Sequence, residues 1–353
     1  MKFRLCHFLL LFTLSVSSHA VFGLTNDGVA LLSLLRQWTS VPSSLRSGWN
    51  ASDSTPCNWV GIECDSKNNV VSFNLSSYAI SGQLGPEIGH LRELETIDLS
   101  SNDFFGNLPE VLGNCSALKY LDLSCNRFTG QIPDYFKHLQ FLRELVLNNN
   151  SLEGEIPESL FQIPGLQVVF LHFNYFNGSI PSNVCDMGEV ELLWLSGNRL
   201  SGTITESIGN CSKLRGLLLD NNNLVGVLPE SLMNLENLSY LDLRNNSLNG
   251  SIALVSGNCK NLYMLVMSSN NFSGEIPIRL GNCSSLTILD LSENRLSGKI
   301  PPELGKCKSL EVLSICKNQL EGRIPDELGM LSYLRHIKLS FNNLSGEIPH
   351  IKL

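Results

Sequence analysis

Residues 286–301 read LTILDLSENRLSGKIP, and this stretch decides the fold because its pattern returns every 24 residues. Written generally it is Leu-x-x-Leu-x-Leu-x-x-Asn-x-Leu-x-Gly-x-Ile-Pro. Its Asn falls at Asn102, Asn126, Asn150, Asn174, Asn198, Asn222, Asn246, Asn270, Asn294, Asn318 and Asn342, eleven registers without an insertion. A glycine follows each of them by four residues, from Gly106 to Gly346.

Leu289 and Leu291 have the spacing that puts both on one face of a strand, while Thr287, Ile288, Asp290, Ser292 and Glu293 point mainly outward. One unit cannot bury such a face alone; stacked units make a parallel sheet over one continuous core. Asn294 and Gly298 sit where the chain must turn sharply, so both read as structural. The Ile300-Pro301 step favours an extended segment, and its proline is replaced at Thr205 and Ala253. Such a period with these spacings is a leucine-rich repeat, hence an α/β repeat solenoid. A degenerate first coil from Val70, with Tyr78 in the Asn position, brings the expected count to twelve coils. At ~4.8 Å per stacked strand they form a curved body roughly 60 Å long.

Residues 1–20 carry Lys2 and Arg4, an apolar run from Phe8 to Val16, and Ser18 and Ala20 at cleavage-site spacing. They read as a secretory signal peptide cut between 20 and 24. Residues 25–69 read as a cap: Thr25 or Asn26 starts a helix with Val29, Leu32, Leu35 and Trp38 on one side, and Trp49 and Trp59 follow. In a secreted chain Cys57 and Cys64 are expected to form a disulfide, and no second pair follows at zinc-ligand spacing. Residues 70–353 are repeats without a C-terminal cap. Leu334, Ile337, Leu339, Leu344 and Ile348 are expected to line a last coil that exchanges its amides fastest.

Cys115, Cys211, Cys259, Cys283 and Cys307 share one slot, eleven residues before the repeat Asn, which other coils fill with apolar residues such as Leu91, Leu139 and Met187. The expectation is five buried free thiols, since free Cys behaves as a small hydrophobe. Cys125, Cys185 and Cys316 lie outside that slot. Sequons stand at Asn50, Asn74, Asn114, Asn149, Asn177, Asn210, Asn237, Asn245, Asn249, Asn271, Asn282 and Asn343, candidates for N-glycosylation.

The formal charge is −8, and loss of Lys2 and Arg4 leaves 23 cations against 33 anions, or −10. Such a surface repels nucleic acid and acidic lipid. His90, His138, His172, His336 and His350 form no HExxH, and no kinase motif occurs. No catalytic residue, metal or cofactor is expected. Asp98, Asp122, Asp242 and Asp290 recur four residues before the Asn and read as hydrated acids on the open sheet. In coils four to seven that slot instead holds Val146, Phe170, Trp194 and Leu218, an apolar stripe, with Asn148, His172, Asp220 and Arg244 two residues further on. The stripe and these polar neighbours are the expected ligand site for an extended peptide.

The SGxIP form of the repeat and the Trp59-x-Gly61-x-x-Cys64 cap resemble plant receptor-like kinase ectodomains. The stretches LLSLLRQW, TPCNWVGIEC, SGQLGPEIGHL, IPESLFQIPGLQV and NCKNLYML resemble, more narrowly, the receptors for Pep danger peptides. The resemblance implies a plant-type superhelix with a concave parallel sheet and a helical N-terminal cap. It also implies a secreted peptide ligand, a leucine-rich-repeat co-receptor kinase as partner in full-length relatives, and a plasma-membrane receptor in plant defence. The sequence stops at Leu353 without a transmembrane segment or kinase, so the expectation is an incomplete ectodomain. The alternatives are a soluble decoy, or a secreted wall protein that inhibits a pathogen polygalacturonase.

Overall fold

The computed structural model describes residues 23–252 and 259–349; the expected leader at 1–20, Ala253 and His350 lie outside them. A helix at Asn26–Gln37 opens the described chain, with Thr25 as its N-cap accepting from the Gly28 amide at 3.3 Å. Its buried face is Ala30, Leu31 and Leu34, whereas Val29 is exposed and Leu32 and Leu35 are only partly buried. The expected face was therefore rotated. Asn26, Ser33, Arg36 and Gln37 share the side opposite the buried one, and Val29 lies among them, which is why it stays exposed. Trp38 lies beyond it, in the strand Trp38–Ser40, which pairs antiparallel with Ser81–Gly82.

Four aromatic rings close the end of the solenoid. Trp49 stacks on Trp59 at 5.3 Å, tilts against Trp38 at 5.9 Å and against Phe73 at 6.2 Å, and all four are buried. The indole donors of Trp49 and Trp59 reach Val60 O and Asp53 Oδ2. Cys57 and Cys64 are bridged across a Cα separation of 5.4 Å.

From there one sheet of 13 strands runs along the concave side. Ile62–Cys64 joins it antiparallel to Val70–Asn74, and every later strand is parallel, displaced by one repeat from its neighbour, as in Ile288↔Val312. Two six-stranded sheets follow the descending side of the coils, and short 3-10 helices such as Pro302–Lys306 form the back. The core between them is a stack of fully buried Leu, Ile and Phe side chains.

The repeat Asn explains why the period cannot slip. Asn294 Nδ2 donates to Leu291 O and Ser292 O in its own coil and to Met267 O in the coil before, while its Oδ1 accepts from the Phe272 amide. These bonds pair backbone groups that the turn removes from both sheet and water. Gly298 has φ +74°, a conformation that favours glycine, and a Cβ there would displace the exposed Glu275 side chain, whose Cγ would lie 2.9 Å away.

The cysteines correct the sequence expectation. Cys211 is bridged to Cys185, and Cys259 to Cys283, so only Cys115 and Cys307 of the shared slot are thiols. The slot repeats at one coil per 24 residues, which brings Cys259 and Cys283 to a Cα separation of 4.9 Å, within disulfide geometry. Cys185 reaches the slot because its coil replaces the 3-10 helix by turns over 182–187, burying Cys185 and leaving Met187 exposed. Burial pushes the Cys115 thiol up to about 12 and that of Cys307 to about 11. Cys125 is exposed and Cys316 half-buried, both free.

In the last described coil Leu334 is buried, Ile337, Leu339 and Leu344 are partly so, and Ile348 is exposed. Among the described residues no helix is long and apolar enough to cross a membrane.

Candidate functional site

In each three-residue strand of the concave sheet the central residue enters the core and its two neighbours face the concavity. Val146, Phe170, Trp194 and Leu218 are direct partners across four adjacent parallel strands. They form one row. Val146 is largely covered, and the other three are half-buried.

The row is centred on an aromatic cluster. Phe170 meets Trp194 edge-on at 5.6 Å and His172 at 6.1 Å, and the His172 ring stacks on Trp194 at 3.7 Å. His172 is buried, which pulls its pKa down to about 4 against a small opposing pull from the Asp220 charge. Near neutral pH it is therefore a neutral ring. His172 Nδ1 and Trp194 Nε1 are both buried without a hydrogen-bond partner. An unpaired buried donor or acceptor costs roughly 1–3 kcal/mol.

The polar residues expected beside the row separate into two kinds. Asn148 is half-buried and Arg244 exposed, but Asp220 is buried and held by the Ser196 hydroxyl and by Asn221 Nδ2. Arg244 Nη2 pairs with Asp242 Oδ2 at 2.9 Å, and Arg244 Nε stands 4.0 Å from Asp220 Oδ2. Asp242 is almost fully buried, which corrects its reading as a hydrated acid; Asp98, Asp122 and Asp290 are half-buried. Burial and the neighbouring Asp220 charge push Asp242 up to about 6, although Arg244 opposes the shift. One guanidinium thus sits over a floor of two carboxylates, pairing closely with Asp242, and keeps its outer side in solvent.

Two features escaped the sequence reading. The first is a second apolar row, two residues earlier in each strand: Leu192, Gly216, Tyr240, Met264, Ile288 and Val312 are partners in consecutive strands. Comparing that slot from coil to coil would have found it. The second is Phe173, 52% exposed and at φ +55°, which meets the His172 ring edge-on at 5.4 Å. A bulky residue with positive φ is uncommon, and the same repeat position holds Ser101, Asn149, Asn221 and Ser269 but also Phe341, a second phenylalanine in the same conformation.

Of the sequons, Asn249 and Asn271 are partly buried and the other ten are exposed. Asn149 and Asn245 lie at the strand-end turns that flank the aromatic cluster, and Asn245 Nδ2 donates to Asn221 Oδ1.

Comparison with known proteins agrees with this architecture. Family models described as leucine rich repeat N-terminal domain, leucine-rich repeat region and leucine rich repeat match residues 24–65, 107–272 and 284–344. A receptor-like protein kinase of Ipomoea nil is 54% identical over 97 residues, which are 28% of this chain and 9% of that protein. The Arabidopsis thaliana receptor-like protein kinase PEPR1 is 50% identical over 91 residues, 25% of this chain and 8% of that protein. The crystal structure of PEPR1-AtPEP1 superposes with a TM-score of 0.84 at 49% identity, covering 92% of this chain and 49% of that one. The chain therefore spans about half of that matched structure. It belongs to the leucine-rich-repeat proteins, and its solenoid is similar to the ectodomains of plant leucine-rich-repeat receptor-like protein kinases, PEPR1 among them.

Proposed function

We propose that this solenoid is the extracellular, peptide-binding part of a Pep-receptor-like plant immune receptor, and that the apolar row of coils four to seven is its ligand site. One observation carries the reading. A slot that holds Asp98, Asp122, Asp242 and Asp290 in other coils, and a single apolar residue, Val266, further on, here holds four apolar residues, two of them aromatic, in four consecutive strands. Aromatic residues with an adjacent Arg on open surface are the usual anchors of an interface, each worth ~2 kcal/mol or more. A parallel sheet face also offers an extended peptide a flat bed at right angles to the strands. Val146, Phe170, Trp194 and Leu218 take its apolar side chains, while Asn148 and Arg244 fix polar and anionic groups. His172 and Asp220 act from beneath, by holding Trp194 and Arg244. The similarity to a solenoid solved as PEPR1-AtPEP1 supports a peptide over other ligands. In a full-length receptor a leucine-rich-repeat co-receptor kinase would then join the liganded ectodomain.

The reading is tested by panning the secreted chain against a displayed library of random 16-residue peptides, with synthetic AtPEP1 measured beside it. Peptides that bind specifically and compete with one another for one surface are expected. A library that gives no specific binder, together with no binding of AtPEP1, would refute it.

A further inference from the structure

Three of the twelve sequons have cysteine as their middle residue: Asn114-Cys115-Ser116, Asn210-Cys211-Ser212 and Asn282-Cys283-Ser284. Each closes a 3-10 helix on the back of the solenoid, with Asn and Ser exposed and Cys fully buried. Their backbones are alike. The Ser amide donates to the Asn carbonyl at 2.9, 2.8 and 3.0 Å. The cysteines, at φ −75°, −73° and −79° with ψ 64°, 65° and 77°, make the same inverse γ-turn. What differs is the sulfur. Cys115 is a free thiol whose Sγ donates to Ile88 O at 3.4 Å, whereas Cys211 and Cys283 are bridged to Cys185 and Cys259.

A glycosyltransferase must surround its sequon, and here the middle residue is sealed in the core behind a closed turn. The sugar has to arrive before the coil closes, so two reactions compete for one tripeptide. In the first, Asn Nδ2 bonds to the anomeric carbon of an oligosaccharide carried on a lipid pyrophosphate. The anomeric C–O bond breaks, the lipid pyrophosphate leaves with the electron pair, and the amide proton passes to a base of the transferase. In the second, two thiols give two electrons and two protons to a disulfide-bearing oxidoreductase, which leaves as a dithiol, and the two sulfurs join. Both bridge partners lie upstream, Cys185 by 26 residues and Cys259 by 24, so each has already been translocated when its sequon emerges. Once the bridge forms, the partner coil is held against the sequon, with Cα atoms 4.8 and 4.9 Å apart, and the transferase is shut out. Cys115 meets no such partner. The coil before it holds Leu91 in this slot, and Cys57 and Cys64 are joined to each other.

We propose that these three sequons form a modification site under redox control: Asn114 carries an N-linked oligosaccharide, while Asn210 and Asn282 stay largely bare because disulfide closure outruns glycosyl transfer. All three asparagines are exposed in the folded chain, so glycan and bridge are compatible in space and exclude each other only in time. The proposal does not depend on the ligand site. It rests on the extracellular reading above only through the oxidising, glycosylating compartment that such a chain passes through.

The test expresses the full chain in plant cells and reads the occupancy of each sequon by peptide mass spectrometry, after enzymatic release of the glycans in heavy-oxygen water. Secreted and cell-retained chains are pooled, so a variant that fails to leave the cell still reports. Asn114 is expected to be occupied at least twice as often as Asn210 or Asn282. Cys259→Ser should at least double the occupancy of Asn282 alone, and Cys185→Ser that of Asn210 alone. Cys307→Ser, which removes a thiol that emerges 24 residues after Cys283, should change none of the three. A reductant added to cells making the wild-type chain should raise Asn210 and Asn282 and leave Asn114 as it was. Equal occupancy of the three in wild type overturns the proposal, as does an Asn282 unmoved in Cys259→Ser or an Asn210 unmoved in Cys185→Ser. A rise at all three sequons in any one variant also overturns it, because slowed folding would then be the cause. Any of these results, with glycans present at other sequons, leaves the extracellular reading standing; no glycan at any of the twelve overturns both.

Discussion

The imidazole of His172 lies flat on the indole of Trp194, ring centroids 3.7 Å apart and planes 16° from parallel. The stack favours the neutral imidazole, since burial lowers its pKa to about 4. Its contribution to stability is complete above the ordinary histidine value of about 6.5 and is lost as pH falls toward 4. Asp242 acts in the opposite sense. With its pKa raised to about 6, it contributes most below the usual carboxylate range and loses that contribution as pH rises through 6. The contributions of these two groups oppose each other between pH 4 and 6.5. His172→Gln should then gain in thermal midpoint relative to wild type on acidification, and Asp242→Asn should fall relative to it. Parallel midpoint curves for all three would contradict both assignments.

The disulfides give a prediction that the repeat makes unusually specific. Cys259, Cys283 and Cys307 occupy one slot in three consecutive coils, and the first two are joined. Cys307 Sγ donates to Leu280 O at 3.2 Å, in the coil of Cys283. In secreted Cys259→Ser, Cys283 should therefore pair with Cys307, retaining a bridge worth about 3 kcal/mol in the chain-entropy picture. Peptide mapping without reduction should recover Cys283–Cys307; two free thiols at those positions would show that the slot does not stack as described.

Removing one amide from the Asn ladder should be costly. Asn294→Ala deletes four hydrogen bonds and strands backbone groups of two coils, for a loss of about 3 kcal/mol in urea denaturation. Asn343→Ala, one position beyond the ladder and exposed, should cost less than about 0.5 kcal/mol. Equal losses would remove the ladder from the account of stability.

Much of this was legible in the sequence because a 24-residue period fixes register, face and turn at once. The row Val146–Leu218 could be read as a row for that reason. The helix at Asn26–Gln37 was misoriented because Val29 was placed on the buried face, although it lies on the side of Asn26, Ser33, Arg36 and Gln37, away from the buried Ala30, Leu31 and Leu34. The bridges at Cys185 and Cys259 were missed by treating each core slot alone, although stacking makes equal slots in adjacent coils contact one another. The same omission hid the second row and Phe173. Burial of His172, Asp220 and Asp242 depends on which neighbours lean over them, and a one-coil pattern carries no such information.

The most direct measurement is the affinity of the selected 16-residue peptide for the double variant Phe170→Asp/Trp194→Asp, read by calorimetry beside the wild-type chain. Aspartate is native to this slot at Asp98, Asp122, Asp242 and Asp290, so melting should stay close to wild type. If the aromatic row is the ligand site, binding falls at least a hundredfold; an affinity within threefold of wild type, in a folded variant, would show that the peptide binds elsewhere.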